Sequence, residues 1–376
     1  MTLAIETLRC GQPTQALVEA FVEGRSFPLV EDRTVTFVFR GPATAVQLVH
    51  WIHGLESAQS FERLPGTELW YFCMDLPRES RVEYKLGITL GPQRQLILDP
   101  LNPNFARDPF GANSVVHGAG YVVPDWTLED PEARKGELRP LAVTGQSLGD
   151  REVQVYLPAR FRATRRYPLL IVHDGADYLR YSGLQTVLDN LIHRQEVPPL
   201  IAVLTDAGDR MREYAADPRH ADFLVNDVLP QVEAAFPVVR EPDARGLVGA
   251  SFGGVAALST AWRKPGVFNR LLLQSGSFAF TDIGHHDMGS IWDPVVEFVN
   301  QFRRAPGKPA DKVFMSCGRY EGLIYYNRSM VPLLQDTGMD VRYREANDGH
   351  NWENWRDRLR EGLSWLFPGP LWMVYE

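Results

Sequence analysis

The chain has 376 residues, a hydrophobic fraction of 44%, a charged fraction of 23% and a formal net charge of −8. This composition is ordinary for a soluble globular protein, and the length favours two domains over a single core. The negative charge argues against non-specific nucleic-acid binding, and the lack of a signal-peptide pattern or of an apolar run of ~20 residues predicts no membrane association.

From about residue 33 to residue 121 the sequence has the pattern of a β domain. Period-two alternation with a turn signal about every ten positions is typical of an immunoglobulin-like β-sandwich. We place this domain at residues 1–125, including a Pro- and Asn-rich connector over residues 99–113 that we expect to pack down because of its aromatic residues. The predicted strands are Thr34–Phe39, Ala45–Val49, Leu69–Leu76, Arg81–Ile88 and Gln95–Asp99.

Strands and helices alternate in the remainder of the chain, residues 126–376. The runs Leu169–Val172 and Leu200–Leu204 are continuously apolar, as expected of parallel strands that are covered on both faces. The alternation predicts an α/β domain with a doubly wound, mostly parallel sheet. Its other predicted elements are helices at Thr186–Arg194 and Ala221–Phe236 and strands at Leu247–Val248, Arg270–Leu273, Lys312–Ser316 and Val341–Tyr343.

The segment from Arg245 to Leu258 reads as a short apolar strand, a serine between glycines and the start of a helix. This is the pattern of the nucleophile elbow of an α/β-hydrolase, in which Gly249 and Gly253 keep a tight turn free of β-carbons. Ser251 is therefore the predicted nucleophile. The helix that follows directs backbone N–H groups at the same place, so the Phe252 N–H is a predicted oxyanion-hole donor.

A second G-x-S-x-G pattern occurs at residues 145–149 and contains Ser147. The residues after it alternate with period two, as in a strand, so no helix follows to supply N–H donors. We interpret Gly145 and Gly149 as the turn residues of a hairpin, and Ser147 as a loop serine.

A serine hydroxyl needs a base, and in this fold the chain order is nucleophile, acid, histidine. His350 follows the last predicted strand and precedes the final helix, the position expected of the base. The other histidines after the elbow, His285 and His286, stand beside Asp287 in a glycine-containing insertion. We interpret these three as surface or lid residues, because no third metal ligand at a defined spacing is visible.

The acid that orients the histidine is predicted to be Glu321, which follows the strand Lys312–Ser316. Asp348 is close to His350 in sequence but is expected to face away on the same loop. Asp311 precedes its strand, so it is expected at the wrong end of the sheet.

The second oxyanion-hole donor is expected at Ala176 or a neighbour, because the strand Leu169–Val172 leads into a loop whose glycine permits close backbone approach. His173, at the start of that loop, is predicted to hold the loop's shape rather than to transfer protons. Chemistry of this kind needs no metal and no cofactor.

Cysteine usage bears on location. The three cysteines, Cys10, Cys73 and Cys317, are odd in number and far apart in the chain. They are interpreted as buried thiols in a reducing compartment rather than as a disulfide framework, which predicts a cytoplasmic protein.

Taken together, these residues resemble the enterochelin (enterobactin) esterase family of esterase D-like α/β-hydrolases. The resemblance implies hydrolysis of the serine trilactone of catecholate siderophores, with release of iron in the cytoplasm. It also implies that Arg210, with Arg212 as a second candidate, contacts an anionic iron–siderophore substrate. The segments that carry it are the β domain, Asp99–Pro103, Asp108–Val115, His173–Gly175, Asp209–Tyr214, the elbow, Gly318–Glu321 and Gly349-His350.

Two other function classes are compatible with the sequence. One is an esterase acting on carbohydrate or aromatic (feruloyl or acetyl) esters, with the β domain as a glycan-binding module. Exposed tryptophans on that domain would favour it, and Trp51 and Trp70 are the candidates. The other is a non-enzymatic scaffold, against which the intact pair of Ser251 and His350 argues.

Overall fold

The computed structural model describes residues 2–11 and 13–369. One structural unit comprises the chain up to Val123 together with the loops Gly318–Gly322 and Ala346–Asn351, and the other comprises Pro124–Cys317, Leu323–Glu345 and the chain from Trp352. The sequence-based boundary lies two residues beyond Val123. Chain order could not indicate that two short loops from the C-terminal half belong with the first unit.

The elements are numbered in chain order. The strands are β1 (Leu29–Glu31), β2 (Thr34–Arg40), β3 (Ala45–His50), β4 (Ala58–Ser60), β5 (Glu62–Arg63), β6 (Leu69–Asp75), β7 (Arg81–Leu90), β8 (Gln93–Ile97), β9 (Phe105–Asp108), β10 (Gly111–His117), β11 (Glu137–Val143), β12 (Arg151–Leu157), β13 (Leu169–His173), β14 (Ile201–Thr205), β15 (Arg245–Ala250), β16 (Arg270–Gln274), β17 (Lys312–Gly318) and β18 (Asp340–Ala346). The α-helices are α1 (Glu6–Arg9), α2 (Gln15–Val22), α3 (Gly175–Tyr181), α4 (Leu184–His193), α5 (Arg210–Glu213), α6 (Pro218–Asp222), α7 (Leu229–Ala235), α8 (Phe252–Arg263), α9 (Asp293–Arg304), α10 (Ile324–Asp336) and α11 (Trp352–Leu366).

Two antiparallel sheets build the first unit. One has the strand order β1-β2-β6-β5, and the other has β4-β3-β7-β10-β9 with β8 also paired to β7. Residues of both sheets meet in a common core, where Phe37 and Trp70 of one sheet are buried with Leu48, Tyr84 and Leu86 of the other. Burying a side chain of this kind stabilises the fold by roughly 1.5–3 kcal/mol, so the alternation read in the sequence determines which face of each sheet is internal.

The prediction of a connector over residues 99–113 is wrong, and so is the expectation that its aromatic residues pack down, because Phe105 and Phe110 are 52% and 95% exposed. Much of that segment instead forms β9 and the start of β10, which pair antiparallel with each other, and β10 also pairs with β7. Pro109 and Phe110 lie between them in a hairpin turn, in which the Asp108 carboxylate accepts a hydrogen bond of 2.7 Å from the Phe110 N–H. Turn residues mark a hairpin and a linker alike, and only the pairing distinguishes the two.

The second unit is built on an eight-stranded sheet with the order β11-β12-β14-β13-β15-β16-β17-β18. Strands β14, β13, β15, β16 and β17 pair in parallel, whereas β11 and β12 pair antiparallel at one edge. Leu169 and Ile171 of β13 belong to the core on one face, and Leu170 and Val172 to the core on the other. Burial on both faces explains the continuous apolar runs, and the fold is of the α/β-hydrolase type.

The helices cover the two faces of this sheet. The stretch predicted as one helix from Ala221 to Phe236 is instead the end of α6, a π-helical segment over Phe223–Val228 and α7. Among residues 2–11 and 13–369, no helix combines the length and the apolar character that crossing a bilayer requires.

The cysteines are less uniform than predicted. Cys317 is buried, but Cys73 is half-buried and Cys10 is exposed, so the prediction of three buried thiols is wrong for Cys10. Cys10 directly follows the short helix α1. That helix buries Leu8, and Cys10 lies on the side exposed to solvent.

Candidate active site

The predicted strand–turn–helix around Ser251 is confirmed. Strand β15 ends at Ala250, α8 begins at Phe252, and Ser251 between them has φ 58° and ψ −121°, a conformation that costs a non-glycine residue on the order of 1–3 kcal/mol. A β-carbon on Gly249 would lie 2.1 Å from the Gly253 carbonyl oxygen, so glycine is required there. The strained backbone conformation of Ser251 therefore depends on the surrounding packing to hold it in place.

Backbone hydrogen bonds fix the orientation of Ser251. Its N–H donates to the Gln274 carbonyl at 2.9 Å, and its carbonyl accepts from the Ser277 N–H at 3.1 Å. The hydroxyl oxygens of Ser251 and Ser277 lie 3.3 Å apart. Phe252 is the first residue of α8, where backbone N–H groups have no partner within the helix and carry the positive end of its dipole. An oxyanion formed on a group bonded to Ser251 would be stabilised by these N–H groups.

The predicted base and acid lie together in the first unit. The Nδ1 atom of His350 lies 2.7 Å from Oε2 of Glu321, which is almost fully buried, whereas the His350 side chain is 37% exposed. The other carboxylate oxygen, Oε1, accepts a hydrogen bond of 2.6 Å from the Gly318 N–H. An Nδ1–H donated to the carboxylate leaves Nε2 with the lone pair, which is the tautomer that a general base needs.

Asp348 has different partners from those of Glu321. Its Oδ1 accepts from the Gly349 N–H at 2.7 Å, from Asn351 Nδ2 at 2.8 Å and from the Arg81 guanidinium at 3.3 Å. Burial raises the pKa of Asp348 to about 7, although the charge of Arg81 opposes the shift. Because this pKa is raised, the stability that Asp348 contributes is complete below its ordinary value and is lost as the pH rises through about 7.

Asp311 precedes β17, as expected, and lies at the opposite end of that strand from Glu321. It accepts hydrogen bonds from Asn269 at 3.0 Å and pairs with Lys308 at 2.7 Å. These are surface contacts that stabilise the turn into β17, so Asp311 is not part of the candidate site.

His173 is a buried structural residue beneath the elbow. Its Nδ1 lies 2.8 Å from the Val248 carbonyl oxygen, and its Nε2 lies 3.0 Å from Nε2 of His220. The carbonyl requires an N–H at Nδ1, so in the neutral pair His220 donates from Nε2 to the lone pair of His173. The pair ties β13 to β15 and α6, in agreement with the predicted role of His173, while His220 gave no sequence signal.

The histidine pair predicts an acid-sensitive fold. Burial lowers the pKa of His173 to about 4 and that of His220 well below its ordinary value. The unfolded chain therefore binds more protons between about pH 6.5 and pH 4, and each such histidine removes up to about 1.4 kcal/mol of stability per pH unit as the pH falls. When the free energy of unfolding in urea is measured between pH 7 and pH 5, it is expected to fall less steeply with pH in a His220→Gln variant than in the unchanged protein.

The control for this measurement is His193→Gln, which removes an exposed histidine at the end of α4. Its stability should follow the pH dependence of the unchanged protein. A slope that is equal in the His220 and His193 variants would contradict the assignment of the acid sensitivity to the buried pair.

The backbone N–H of Ala176, the predicted second oxyanion-hole donor, already donates a hydrogen bond to a side chain of the protein. The Ala176 N–H donates to Oδ1 of Asp206 at 3.2 Å. Gly175, just before it, could not carry a β-carbon, which would lie 2.5 Å from Cβ of Leu204. The close backbone approach predicted from this glycine is thus present, whereas Asp206 was missed because it lies 30 residues further along the chain. A role for Ala176 in an oxyanion hole stays a prediction.

Arg210 forms a two-pronged ion pair with Asp174. The Nε–Oδ1 and Nη2–Oδ2 distances are 2.7 and 2.8 Å, and the Arg210 side chain is 36% exposed. Glu213, a conceivable partner from its spacing, pairs instead with Arg151 at 2.7 Å. Arg212 is exposed, and its backbone N–H bonds the Asp209 side chain at the start of α5.

Ser147 lies in the hairpin that the sequence predicts. Strands β11 and β12 on either side of it pair antiparallel, and no helix begins after Gly149. The Ser147 N–H donates to Asp227 at 3.0 Å, so this backbone group is directed at a carboxylate and not at a substrate.

The two histidines of the insertion differ in exposure, and the prediction of surface residues is wrong for His286, whose side chain is only 14% exposed. His285 is exposed, and Nε2 of His286 lies 3.2 Å from Asp293 at the start of α9. Within the described part of the chain, no three or more His, Cys, Asp and Glu side chains are grouped so that they could hold a metal ion.

Known proteins provide an independent comparison with this geometry. The model of the esterase family, described as "Putative esterase", matches residues 144–366, which contain the elbow and both predicted triad partners. Among curated proteins, the chain is 27% identical to the iron(III) enterobactin esterase of Dickeya dadantii, over 97% of this chain and 92% of the relative. It is 26% identical to the iron(III) enterobactin esterase of Escherichia coli strain K12, over 83% of this chain and 82% of the relative.

A solved structure supports the fold. The ferric enterobactin esterase of Salmonella typhimurium superposes with a TM-score of 0.77 at 23% sequence identity, covering 93% of this chain and 98% of the other. At this identity the similarity establishes the architecture, whereas the chemistry has to be argued from the residues of the chain itself.

Proposed function

The chain belongs to the enterochelin esterase family of carboxylic ester hydrolases, and from this premise we propose that it cleaves a catecholate siderophore through a Ser251–His350–Glu321 triad. The observation that carries the proposal is the 2.7 Å hydrogen bond between His350 and Glu321 on loops of the chain that follow strands of the Ser251 sheet. A hydrolysis screen tests it: enterobactin, with and without bound iron, is compared with acetylated xylan and feruloyl esters.

The proposed chemistry is acyl transfer to serine. His350 Nε2 takes the proton of Ser251 as its oxygen attacks the ester carbonyl, and Glu321 stabilises the imidazolium that results. The Phe252 N–H, with Ala176 or a neighbour as the second donor, stabilises the oxyanion. Support comes from topology: Ser251 follows β15, Glu321 follows β17, and β16 pairs in parallel with both strands. The carboxyl ends of these strands therefore share one edge of the sheet.

The siderophore substrate is inferred from the relatives and from charge. Relatives that match 97% and 83% of this chain are iron(III) enterobactin esterases. An iron–catecholate complex carries strong negative charge, which suits arginine. Asp174 uses Nε and Nη2 of Arg210. The third nitrogen, Nη1, lies 3.9 Å from Met211 Sδ, and a thioether is a weak acceptor that an anionic substrate would displace. Arg212 is proposed as a second contact. The similarity to enterobactin esterases also supports the proposal of a cytoplasmic reaction.

Arg210→Ala is expected to raise KM for an iron-loaded catecholate siderophore by ten- to a hundredfold, because a charge-assisted contact is worth roughly 1.5–3 kcal/mol. Hydrolysis of p-nitrophenyl acetate should change little, because the arginine binds a remote part of the substrate. The variant should also lose part of the salt dependence of KM, since high ionic strength screens exposed charges.

The matched control is Arg219→Ala, which removes an exposed arginine that pairs with Asp217. It should leave KM for both substrates unchanged. If Arg210→Ala impairs the neutral ester as much as the siderophore, Arg210 serves to hold Asp174 at the start of α3, and the charge argument for a siderophore is lost.

A carbohydrate or aromatic ester is the second candidate substrate. Trp51 is 56% exposed on the first unit, as a glycan- or ring-stacking residue would be, whereas Trp70 is 7% exposed and belongs to the core. One exposed tryptophan is less than the cluster that a binding module needs, so this candidate ranks second. Faster hydrolysis of acetylated xylan or feruloyl esters than of enterobactin would reverse the order.

A further inference from the structure

Arg81 is a buried charge at the first residue of β7. Its side chain has no exposed surface, which is unusual for an arginine. A buried guanidinium costs several kcal/mol unless its N–H groups meet acceptors, so its partners identify what the position is built for.

The partners of Arg81 include the loop that carries His350. Nη1 donates to Asp348 Oδ1 at 3.3 Å and to Asn351 Oδ1 at 3.0 Å. The Arg81 N–H donates to the Asn347 carbonyl at 2.9 Å. These contacts hold the loop on both sides of His350. A second guanidinium nitrogen, Nη2, donates to Glu83 Oε1 at 3.0 Å, which adds a second negative charge to the cluster.

The loop that carries Glu321 is held from the same region of the first unit. The Ser80 hydroxyl lies 2.6 Å from the Tyr320 hydroxyl, and the His53 N–H donates to the Tyr320 carbonyl at 2.8 Å. A β-carbon on Gly318 would lie 2.3 Å from the Asp348 carbonyl oxygen, so the two loops also touch each other. Residues 80 and 81, two neighbours in sequence, thus contact both loops.

We propose that the start of β7 positions the catalytic base and acid, with Arg81 as the positioning residue that acts through Asp348 and Asn351. The inference rests on the proposed function, because it concerns the roles of His350 and Glu321 in that reaction. It assigns a catalytic purpose to the two antiparallel sheets of the first unit, whose strands contain none of the residues of the proposed triad. Arg81 takes no part in the bond changes at the ester in this proposal.

Loss of Arg81 would leave Asp348 buried without its main counter-charge. The carboxyl group would then keep its proton to a higher pH, or the loop would move so that the carboxylate reaches solvent. Either change would alter the orientation of the His350 imidazole. A displacement of about 1 Å in a catalytic group can cost on the order of a hundredfold in rate. Substrate binding would be much less affected, so the loss should fall on kcat rather than on KM.

Arg81→Met, which keeps the length of the side chain without its charge, is therefore expected to lower kcat for p-nitrophenyl acetate by ten- to a hundredfold with KM within about twofold. Arg81→Lys, which restores the charge and some of the donors, should recover part of the loss. The matched control is Arg78→Met, three residues earlier, which removes an exposed arginine paired with Asp32. It should leave kcat unchanged. Thermal unfolding of each variant shows whether the protein is folded at the assay temperature.

A double-mutant cycle with Asp348→Asn separates positioning from a loss of stability. If Arg81 acts through Asp348, the second substitution should cost little more in kcat once the first is present. If titration of Asp348 changes kcat near neutral pH, that change should be present in the control Arg78→Met and absent in Asp348→Asn. The groups facing Asp348 are Arg81, Glu83, Tyr320 and Asn351.

The inference is overturned if folded Arg81→Met matches Arg78→Met in kcat, or if the effects of the two substitutions are additive. Neither result would touch the proposed function, which fails separately if Ser251→Ala remains active. A variant too unstable to assay is replaced by Asn351→Ala, which removes one Arg81 acceptor and should lower kcat in the same direction.

Discussion

Ser251→Ala should reduce ester hydrolysis by on the order of 10⁴–10⁶-fold, because loss of a triad nucleophile leaves only substrate binding and oxyanion stabilisation. The fold should survive, since the substitution removes one hydroxyl from a turn whose geometry depends on Gly249 and Gly253. The measurement is the initial rate with p-nitrophenyl acetate and enterobactin, with circular dichroism to verify the fold.

The chain provides a matched control in its second G-x-S-x-G pattern. Ser147→Ala removes the corresponding hydroxyl from the hairpin between β11 and β12, and it should leave the rate unchanged. Activity retained in the Ser251 variant and lost in the Ser147 variant would reverse the assignment of the nucleophile.

Glu321→Gln should lower kcat by on the order of 10³–10⁴-fold, because a neutral amide cannot stabilise the imidazolium and favours the wrong tautomer of the histidine. Asp348→Asn should cost about tenfold or less. Asp348 bonds Arg81, Asn351 and Gly349, and its pKa of about 7 means that it is already partly neutral near neutral pH. The two variants therefore separate the acid of the triad from a neighbouring structural carboxylate.

The comparison is made on kcat at a pH where both variants are folded, with KM measured in parallel. Both substitutions are isosteric, so a difference between them reports charge and not volume. Equal losses, or a greater loss in Asp348→Asn, would move the role of the acid to Asp348 or leave a serine–histidine pair without a dedicated acid.

Features carried by neighbouring residues could be predicted from the sequence. The elbow at Ser251 follows from a strand, two glycines and a helix within 14 residues, and the hairpin at Ser147 from alternation after the second motif. The order of strands along the chain led us to expect Glu321 near His350, and the two side chains lie 2.7 Å apart, while the role of Glu321 as the acid stays a prediction. In each case, short-range sterics or the direction of parallel strands fixes where a side chain goes.

Features that depend on contacts between distant residues could not be predicted. Arg81 and Asp348 are 267 positions apart, and nothing in the alternation of β7 distinguishes Arg81 from an exposed arginine. His220 meets His173 across 47 positions, and Asp206 meets Ala176 across 30. Periodicity indicates which face of an element is buried, but not which polar group will be there to pair with it.

The prolines, asparagines and glycines of residues 99–113 illustrate the same limit within the backbone. They were interpreted as a connector, although they punctuate β9 and β10. A turn signal is local, whereas the ladder that joins β10 to β7 pairs residues that are 30 positions (Ser114 and Tyr84) to 36 positions (His117 and Arg81) apart in the chain.

The most direct test of the account is covalent labelling with a fluorophosphonate, which reacts with a serine only when a base activates it. The Ser251 oxygen displaces fluoride from phosphorus, and mass spectrometry of the digested protein locates the label. We expect one label per chain, on the peptide that contains Ser251, and its loss in His350→Ala. A label on Ser147, or undiminished labelling of Ser251 in His350→Ala, would contradict a triad built from Ser251, His350 and Glu321.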